Sequence, residues 1–192
     1  GEAGTGFVPD LVVPDFAYRD EASAYLAGEL DDIVSGWFCA HAPFLRNFLC
    51  KYPGPDSGLY LHQDWMYVDE RRGGRTCVVW IALDDVTGDN GQLQVARGSH
   101  RVGSMVRGTD LVAPWIDEED VLRPRLLSVP LRLGQAVVMD NALVHCSYPN
   151  HSDRPRLAVG MGMRPTADPL VYFRREGDQA CQSEERRVGK EC

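Results

Sequence analysis

The sequence predicts a mainly β protein of jelly-roll type with a few flanking helices. Short segments rich in β-branched and aromatic residues recur at regular spacing over residues 44–163. Gly, Pro and Asn-Gly turn signals separate these segments, which is typical of a sandwich or a barrel. In a jelly roll, an early strand and a late strand meet around an internal pocket. The candidate site residues described below require such a meeting.

The first 43 residues precede this β-rich region. Residues 1–18 carry Gly, Pro and short apolar runs, and we expect a loose lead-in there. Helix formers dominate Arg19–Leu30, where Tyr25, Leu26 and Leu30 are spaced to share one face. A short helix is therefore predicted before the first strand.

Apolar and β-branched runs bounded by turn residues predict the strands. They are Phe44–Tyr52, Leu59–Val68, Thr76–Leu83, Gln92–Ala96, Leu126–Pro130, Gln135–Asp140, Leu143–Ser147 and Pro155–Met163. Pro53–Gly58 is a strong turn signal, and Asp84–Gly91 is a second turn region containing Asn90-Gly91. A long connection runs from Gly98 to about residue 125. Its acidic cluster, Asp117–Asp120, is expected to be a solvated helix start rather than a metal site.

The length of 192 residues fits one domain, which we place at residues 1–182. Residues 183–192 are polar, lack periodicity and resemble the translation of a sequencing-library adapter, so we expect a disordered, non-native tail there. The chain begins at Gly1 rather than Met, which leaves open whether a segment precedes it.

Composition and charge limit the classes of partner. With 44% hydrophobic and 25% charged residues the chain reads as a soluble globular protein, and a net charge of −8 argues against a nucleic-acid partner. No apolar run approaches the ~20 residues that span a bilayer. The cysteines lack CxxC spacing and are expected to be free thiols in a reducing cytoplasm: Cys39, Cys50, Cys77, Cys146, Cys181 and Cys192. The oligomeric state is left open.

The most informative pattern is His62-Gln63-Asp64, followed 81 positions later by His145. Residues two apart on a strand point to the same side, so one imidazole and one carboxylate can face a single ion. A second, distant His completes the facial triad that holds non-haem iron(II) and leaves coordination positions open. Each residue alone is a weak signal, because a lone His in a β protein is often a hydrogen-bonded core residue.

Arg156 lies eleven residues beyond His145 on the next predicted strand. A guanidinium that points into a barrel is unfavourable unless it meets an anion. The anion could be one of the many carboxylates of the chain, in a structural ion pair. Alternatively, Arg156 could clamp a carboxylate ligand in a bidentate manner. A five-carbon keto diacid would suit a metal at one end and Arg156 at the other.

Six segments in a fixed order resemble the phytanoyl-CoA dioxygenase family of iron(II)- and 2-oxoglutarate-dependent oxygenases. They are Leu61–Trp65, Trp80–Val86, Asn90–Leu93, Gly98–Arg101, His145 and Pro155–Arg156. The resemblance covers residues 44–163, which is most of the chain. It implies a double-stranded β-helix, a cupin-like jelly roll, with iron(II), 2-oxoglutarate and O2 as cofactor and cosubstrates.

The resemblance also implies roles for individual residues. His62, Asp64 and His145 would bind the iron and carry the catalysis, and Arg156 would bind 2-oxoglutarate. Ser147, Lys51 and Asn47 are further candidates for the 2-oxoglutarate pocket. Trp65 and Tyr67 flank the metal pair and are candidates for the wall of the substrate pocket, with core packing as the alternative.

The predicted function is a dioxygenase that hydroxylates an unactivated C–H bond of a small organic molecule and releases succinate and CO2. Halogenating relatives have Ala or Gly at the position of Asp64, so this carboxylate favours hydroxylation. The same site could instead serve desaturation, ring formation or epimerisation. A non-catalytic jelly-roll module that binds a metal or a sugar is the alternative of another class. The identity of the substrate does not follow from the sequence.

Overall fold

Two antiparallel sheets packed face to face form the body of the protein. The computed structural model describes residues 6–102, 105–108, 111, 119–176 and 179–184. The described strands are β1 (Phe7–Pro9), β2 (His41–Lys51), β3 (Leu59–His62), β4 (Cys77–Ala82), β5 (Leu93–Ala96), β6 (Leu126–Val129), β7 (Ala136–Asp140), β8 (His145–Ser147), β9 (Arg156–Pro165), β10 (Val171–Glu176) and β11 (Gln179–Glu184). The described α-helices are α1 (Phe16–Ser35) and α2 (Glu119–Leu122).

The order of the strands is that of a jelly roll, as predicted. The large sheet has the order β1-β2-β9-β4-β7, and the small sheet has the order β3-β8-β5-β6. The strands β10 and β11 form a separate hairpin. Strands that are distant in the sequence are neighbours in both sheets, which brings the early strand β3 next to the late strand β8.

The core lies in layers on both faces of the large sheet. Between the two sheets, Trp80, Met139 and Ala158 of the large sheet pack with Leu93 of the small sheet. On the outer face of the large sheet, α1 covers a second apolar cluster that includes Met161. Because neighbouring residues of a strand point to opposite faces, β9 supplies side chains to both layers and is buried along most of its length.

Helix α1 occupies the predicted helical region but is longer at both ends. Asp15 lies just before it and caps its first turn by accepting a hydrogen bond from the Tyr18 amide at 3.1 Å. Leu26 is buried against the large sheet and Leu30 packs against the same cluster, as the spacing predicted. Tyr25, which was predicted to share that face, is 61% exposed. Near the other end, Asp31 accepts a hydrogen bond from Arg46 Nε of β2 at 2.6 Å and fastens the helix to the sheet.

Three strands lie where none was predicted. Strand β1 falls in the segment expected to be a loose lead-in, because pairing with the end of β2 satisfies its backbone groups. The strands β10 and β11 pair with each other from Val171↔Glu184 to Glu176↔Gln179. The hairpin therefore reaches two residues into the segment expected to be a disordered tail, while residues 185–192 lie outside the described part of the chain.

One predicted strand is wrong in its second half. The segment Leu59–Val68 was expected to be extended throughout, but β3 ends at His62. Residues 63–68 form an irregular segment that pairs with no strand in a ladder. Its backbone is bound by the side chains of Arg107 and Asn141, and by the amide of Val171 at the start of β10, which donates to the Tyr67 carbonyl at 2.9 Å. Of the acidic cluster Asp117–Asp120, the last two residues begin α2, as a helix start was predicted there, and residues 117 and 118 lie outside the described residues.

No helix in the described part of the chain is long and apolar enough to cross a membrane. The five cysteines in the described ranges are free thiols, as their spacing predicted. Cys146 is buried on the outer side of the small sheet with Leu61 and Val144, and so on the side opposite to its neighbour His145.

Candidate active site

The structure brings His62, Asp64 and His145 together at the edge of the small sheet. His62 ends β3, His145 begins β8, and the two residues are direct partners in the antiparallel ladder. Their ring centroids are 4.2 Å apart. Asp64 Oδ1 lies 3.8 Å from Nε2 of each histidine. One ligand atom of each residue lies within 4.8 Å of the others, so the group could hold a single metal ion.

Both imidazoles are held by their Nδ1 atoms. Nδ1 of His62 donates to the Tyr60 carbonyl at 2.8 Å, and Nδ1 of His145 donates to the Leu143 carbonyl at 2.9 Å. A carbonyl can only accept, so the proton of each neutral ring lies on Nδ1 and the lone pair lies on Nε2. Metal-binding histidines in proteins are usually oriented by such a bond. The two Nε2 atoms are therefore ready to act as ligands.

The electrostatics keep His62 neutral. Burial lowers the pKa of His62 to about 4, with the neighbouring His145 as the second cause, and the Asp64 carboxylate opposes both. At neutral pH the ring thus offers a lone pair without first losing a proton. The side chain of Asp64 is 30% exposed, which leaves its carboxylate at the open side of the group.

Arg156, the residue predicted to bind 2-oxoglutarate, is buried in the interior. It opens β9, is only 3% exposed, and stacks its guanidinium over the Trp80 ring, 5.0 Å from the centroid. Nη2 makes a long bond of 3.5 Å to the Gly91 carbonyl, while Nε and Nη1 have no partner among the described residues. Within the described ranges no carboxylate forms an ion pair with Arg156, so the structural ion pair considered from the sequence is absent there. Burial lowers the pKa of Arg156 to about 10.

Lys51 and Ser147 lie beside Arg156, but Lys51 is already fully hydrogen-bonded. Its ammonium donates to the Ser57 carbonyl, to Ser147 Oγ and to the Tyr148 carbonyl, each at 2.7 Å. These are all the protons that the group has. Because Ser147 Oγ accepts from Lys51, its own proton points elsewhere and is free for a ligand. Ser147 follows His145 by two residues on β8, so the two side chains share one face of the strand.

Asn47, Trp65 and Tyr67 have different surroundings. Asn47 is buried four residues before Lys51 on β2, on the same face, and its Oδ1 lies against Gly160 of β9. The ring of Trp65 is 6.4 Å from that of Tyr67 and 6.0 Å from that of Tyr172. Trp65 remains 44% exposed, so it can wall an open pocket as well as pack against its neighbours.

Three residues contribute to this region that the sequence reasoning did not assign. Trp80 stacks on Arg156. Gly91 has a φ of +86°, and a side chain there would lie 2.2 Å from Lys51 Cδ. Ser99 accepts a hydrogen bond from the Val144 amide at 2.8 Å, directly before His145. All three lie in the ordered motifs noted in the sequence, and that order was the available signal for them.

Comparison with known proteins agrees with this geometry. A family model described as "Phytanoyl-CoA dioxygenase (PhyH)" matches residues 10–158, well over half of the chain. The chain belongs to the phytanoyl-CoA dioxygenase family. One similar curated protein is "Phytanoyl-CoA dioxygenase domain-containing protein 1" of Danio rerio. It is 33% identical over 116 residues, which cover 57% of this chain and 40% of the relative.

Solved structures support the same fold for this member of the phytanoyl-CoA dioxygenase family. AviO1 from Streptomyces viridochromogenes Tue57 is 24% identical with a TM-score of 0.59, over 85% of this chain and 68% of AviO1. The epimerase SnoN, crystallised with Fe3+, alpha ketoglutarate and nogalamycin RO, is 20% identical with a TM-score of 0.58, over 85% of this chain and 64% of SnoN. At these identities the likeness establishes the jelly-roll fold. The chain spans 40–45% of the length of the curated relatives that it matches.

Proposed function

We propose that this chain is an iron(II)- and 2-oxoglutarate-dependent dioxygenase that hydroxylates an unactivated C–H bond of a small organic molecule. The proposal depends on two features, one on the small sheet and one on strand β9 of the large sheet. A group of two imidazoles and one carboxylate is connected through Ser147 and Lys51 to a buried guanidinium that forms no ion pair with any described carboxylate. Membership of the phytanoyl-CoA dioxygenase family supports the same activity.

The donor set fits iron(II). Two neutral imidazoles and one carboxylate are the ligands of the facial triad, and they occupy one side of an octahedral ion. The Nδ1–H bonds of His62 and His145 to backbone carbonyls orient both rings with Nε2 inward. Asp64 supplies the negative charge that offsets part of the charge of the ion. Bound Fe3+ is described for the SnoN structure.

The charged and polar side chains beside this group fit 2-oxoglutarate. Arg156 Nε and Nη1 have no partner among the described residues, and Nη2 has only the long bond to the Gly91 carbonyl. One carboxylate of a diacid could therefore be bound in a bidentate manner, by Nη2 together with either Nη1 or Nε. The hydroxyl of Ser147, whose oxygen is occupied by Lys51, has a proton available for the same carboxylate. Lys51 adds positive charge, but all three protons of its ammonium are already donated to protein acceptors. Two buried cations without a described anion make the pocket complementary to a ligand with two negative charges.

With iron(II), 2-oxoglutarate and O2 bound, this class of site couples the oxidative decarboxylation of 2-oxoglutarate to succinate and CO2 with oxidation of a C–H bond. The residues of this chain have other tasks. His62, Asp64 and His145 hold the metal, Arg156 and Ser147 orient the diacid, and Trp80 keeps water from the guanidinium. The exposed Trp65, at the open side, is proposed as part of the wall that receives the substrate.

The neighbouring alternatives differ in how well they account for these residues. Desaturation, ring formation or epimerisation would use the same metal and the same cosubstrate pocket, so they differ from hydroxylation in the placement of the substrate. A non-catalytic metal- or sugar-binding module would not require an unpartnered guanidinium beside the metal group. The cytoplasmic location expected from the free cysteines is part of this proposal.

The test is turnover of 2-oxoglutarate without any added prime substrate. Succinate is measured under air with iron(II) and ascorbate, for the wild type, His62→Ala and His41→Ala. His41 is a matched control because it begins β2 in the large sheet, opposite Pro165, and its Nδ1 bonds to the Cys39 carbonyl rather than to any residue of the candidate metal group. We expect succinate from the wild type and from His41→Ala, and none from His62→Ala.

Binding measurements decide the meaning of a negative result. If no succinate forms, anaerobic titrations of the folded protein with iron(II) and then with 2-oxoglutarate follow. Binding of both would locate the defect in turnover and keep the proposed site. If folded protein binds neither, the oxygenase proposal is wrong and a binding module of another kind takes its place.

A further inference from the structure

Asp64 differs from the two histidines in how its backbone is held. His62 and His145 lie on paired strands and bond to each other's strand. Asp64 lies after the end of β3, in the irregular segment 63–68, where no ladder holds the backbone. A carboxylate ligand must nevertheless be held within a fraction of an ångström for tight metal binding. Some other group must therefore hold this segment.

Arg107 is bound to this segment at two points. Its Nε donates to the Asp64 carbonyl at 2.8 Å, and its own carbonyl accepts the Met66 amide at 3.2 Å. The two bonds enclose Trp65 between them and bind the backbone on both sides of it. Arg107 is 43 residues away from Asp64 in the sequence, within the long connection after β5.

The guanidinium is fixed from the other side by Glu70. Its Nη2 bonds to Glu70 Oε1, and its Nη1 donates to the Met105 carbonyl at 2.9 Å. The side chain of Arg107 is 3% exposed and that of Glu70 is fully buried. A buried ion pair of this kind has a fixed geometry, because moving either charge would leave the other buried without its partner, at a large cost in free energy. Beneath it, Met66 packs against Val171 and Phe173 of the hairpin.

We propose that Arg107, held by Glu70, is a positioning residue for the Asp64 carboxylate and thereby sets the metal affinity of the site. Arg107 does not touch the metal group itself. It acts by holding the backbone that carries Asp64, while the planar guanidinium serves three acceptors in different directions at once. The inference rests on the proposed metal site. It adds a residue to that site from a part of the chain in which the sequence showed no candidate.

Arg107→Lys tests this role because it keeps the charge opposite Glu70 but cannot serve the three acceptors with one planar group. Nickel(II) binding to the metal-free protein is measured by calorimetry, which needs no turnover. We expect the affinity to fall about 10- to 100-fold, the range for groups that orient metal ligands. Arg75→Lys is the matched control: Arg75 also approaches Glu70, at 3.9 Å, but it is 43% exposed and has no bond to residues 64–66.

A double-mutant cycle separates positioning of Asp64 from a general effect on the fold. In an Asp64→Ala background the two histidines still bind nickel(II), more weakly. If Arg107 acts through Asp64, Arg107→Lys has no further effect there. The proposal is overturned if the loss in affinity is the same in both backgrounds, or if folded Arg107→Lys binds nickel(II) as the wild type does.

One further variant and the wild-type titration keep the outcomes distinct. If Arg107→Lys does not fold, Glu70→Gln combined with Arg107→Gln removes both buried charges together, and the same fall in affinity is expected. If wild-type protein itself binds no nickel(II), the proposed metal site is wrong, and that result is independent of Arg107. If wild-type protein binds and the Arg107 variants bind equally well, only the positioning role is wrong.

Discussion

Lys51 and Arg156 are direct partners across strands β2 and β9, and both are buried. Like charges directly opposite each other in a sheet repel. The repulsion contributes to the low pKa of Lys51, which burial and then Arg156 lower to about 7. The two cations differ in one respect: Lys51 uses all its protons on protein acceptors, while Nε and Nη1 of Arg156 have no partner in the described part of the chain. This difference leads to opposite expectations for their substitution.

Arg156→Met is expected to weaken 2-oxoglutarate binding by about 2–5 kcal/mol, the range for truncating one partner of a buried charge pair. The stability of the ligand-free protein should stay the same or rise, because an uncompensated buried charge is replaced by an apolar side chain. Anaerobic titration and thermal unfolding measure the two effects. Arg154→Met, two residues earlier and exposed, is the control and should change neither. Unchanged affinity in Arg156→Met would remove Arg156 from the cosubstrate pocket.

Lys51→Met is expected to destabilise the protein even without ligand. Its three acceptors, the carbonyls of Ser57 and Tyr148 and the Ser147 hydroxyl, would lose their donor. A buried acceptor left without a partner costs about 1–3 kcal/mol. Chemical denaturation should therefore show a lower free energy of unfolding than for the wild type and for Arg156→Met. Equal stability of all three proteins would mean that the Lys51 bonds contribute nothing.

The pKa of Lys51 also predicts how stability depends on pH. In the folded protein it is about 7, below the ordinary value of 10.5 that applies after unfolding. Above pH 7 the unfolded chain therefore binds a proton that the folded protein has lost, so stability rises with pH, by up to about 1.4 kcal/mol per unit. The raised pKa of Cys77 acts in the opposite direction from about pH 9 upward, which limits the useful window to pH 7–9.

Denaturation of ligand-free protein at pH 7, 8 and 9 measures this dependence. Lys51→Met should show a smaller slope, because the titrating group has gone. The same slope in both proteins would assign the effect to another residue.

Binding of a dianion should raise the pKa of Lys51, so that 2-oxoglutarate binding at pH 8 takes up a proton. Calorimetry in buffers of different ionisation enthalpy detects that proton.

Ser99→Ala is expected to affect stability and metal binding together. The Val144 amide donates to Ser99 Oγ at 2.8 Å, in a buried place directly before His145. Loss of the acceptor leaves a buried amide without a partner, which costs about 1–3 kcal/mol. Ser128→Ala is the control, since Ser128 accepts a bond from Gln94 but is exposed. If Ser99→Ala binds nickel(II) as the wild type does, the bond from Val144 to Ser99 stabilises the fold but does not position His145.

Local patterns in the sequence were sufficient for much of the fold. Alternating and β-branched runs placed seven of the eight predicted strands within three residues of their observed bounds, because side-chain alternation is a property of the strand itself. The error lay in the segment after His62, which is apolar enough to continue β3 but has no neighbouring strand to pair with. Strand β1 and the hairpin were missed for the opposite reason: their pairing partners, not their composition, make them strands.

The candidate ligands His62, Asp64, His145 and Arg156 could be named from the sequence, because metal and carboxylate binding require particular residue types in a recognisable order. Only the tertiary structure decided which charges lack a partner. In the described residues, Lys51 donates all its protons to protein acceptors, while two nitrogens of Arg156 have no hydrogen-bond partner. The backbone of Asp64 is held by Arg107, from another part of the chain. These relationships depend on distances between segments that the fold brings together. Spacing along the chain does not encode such distances.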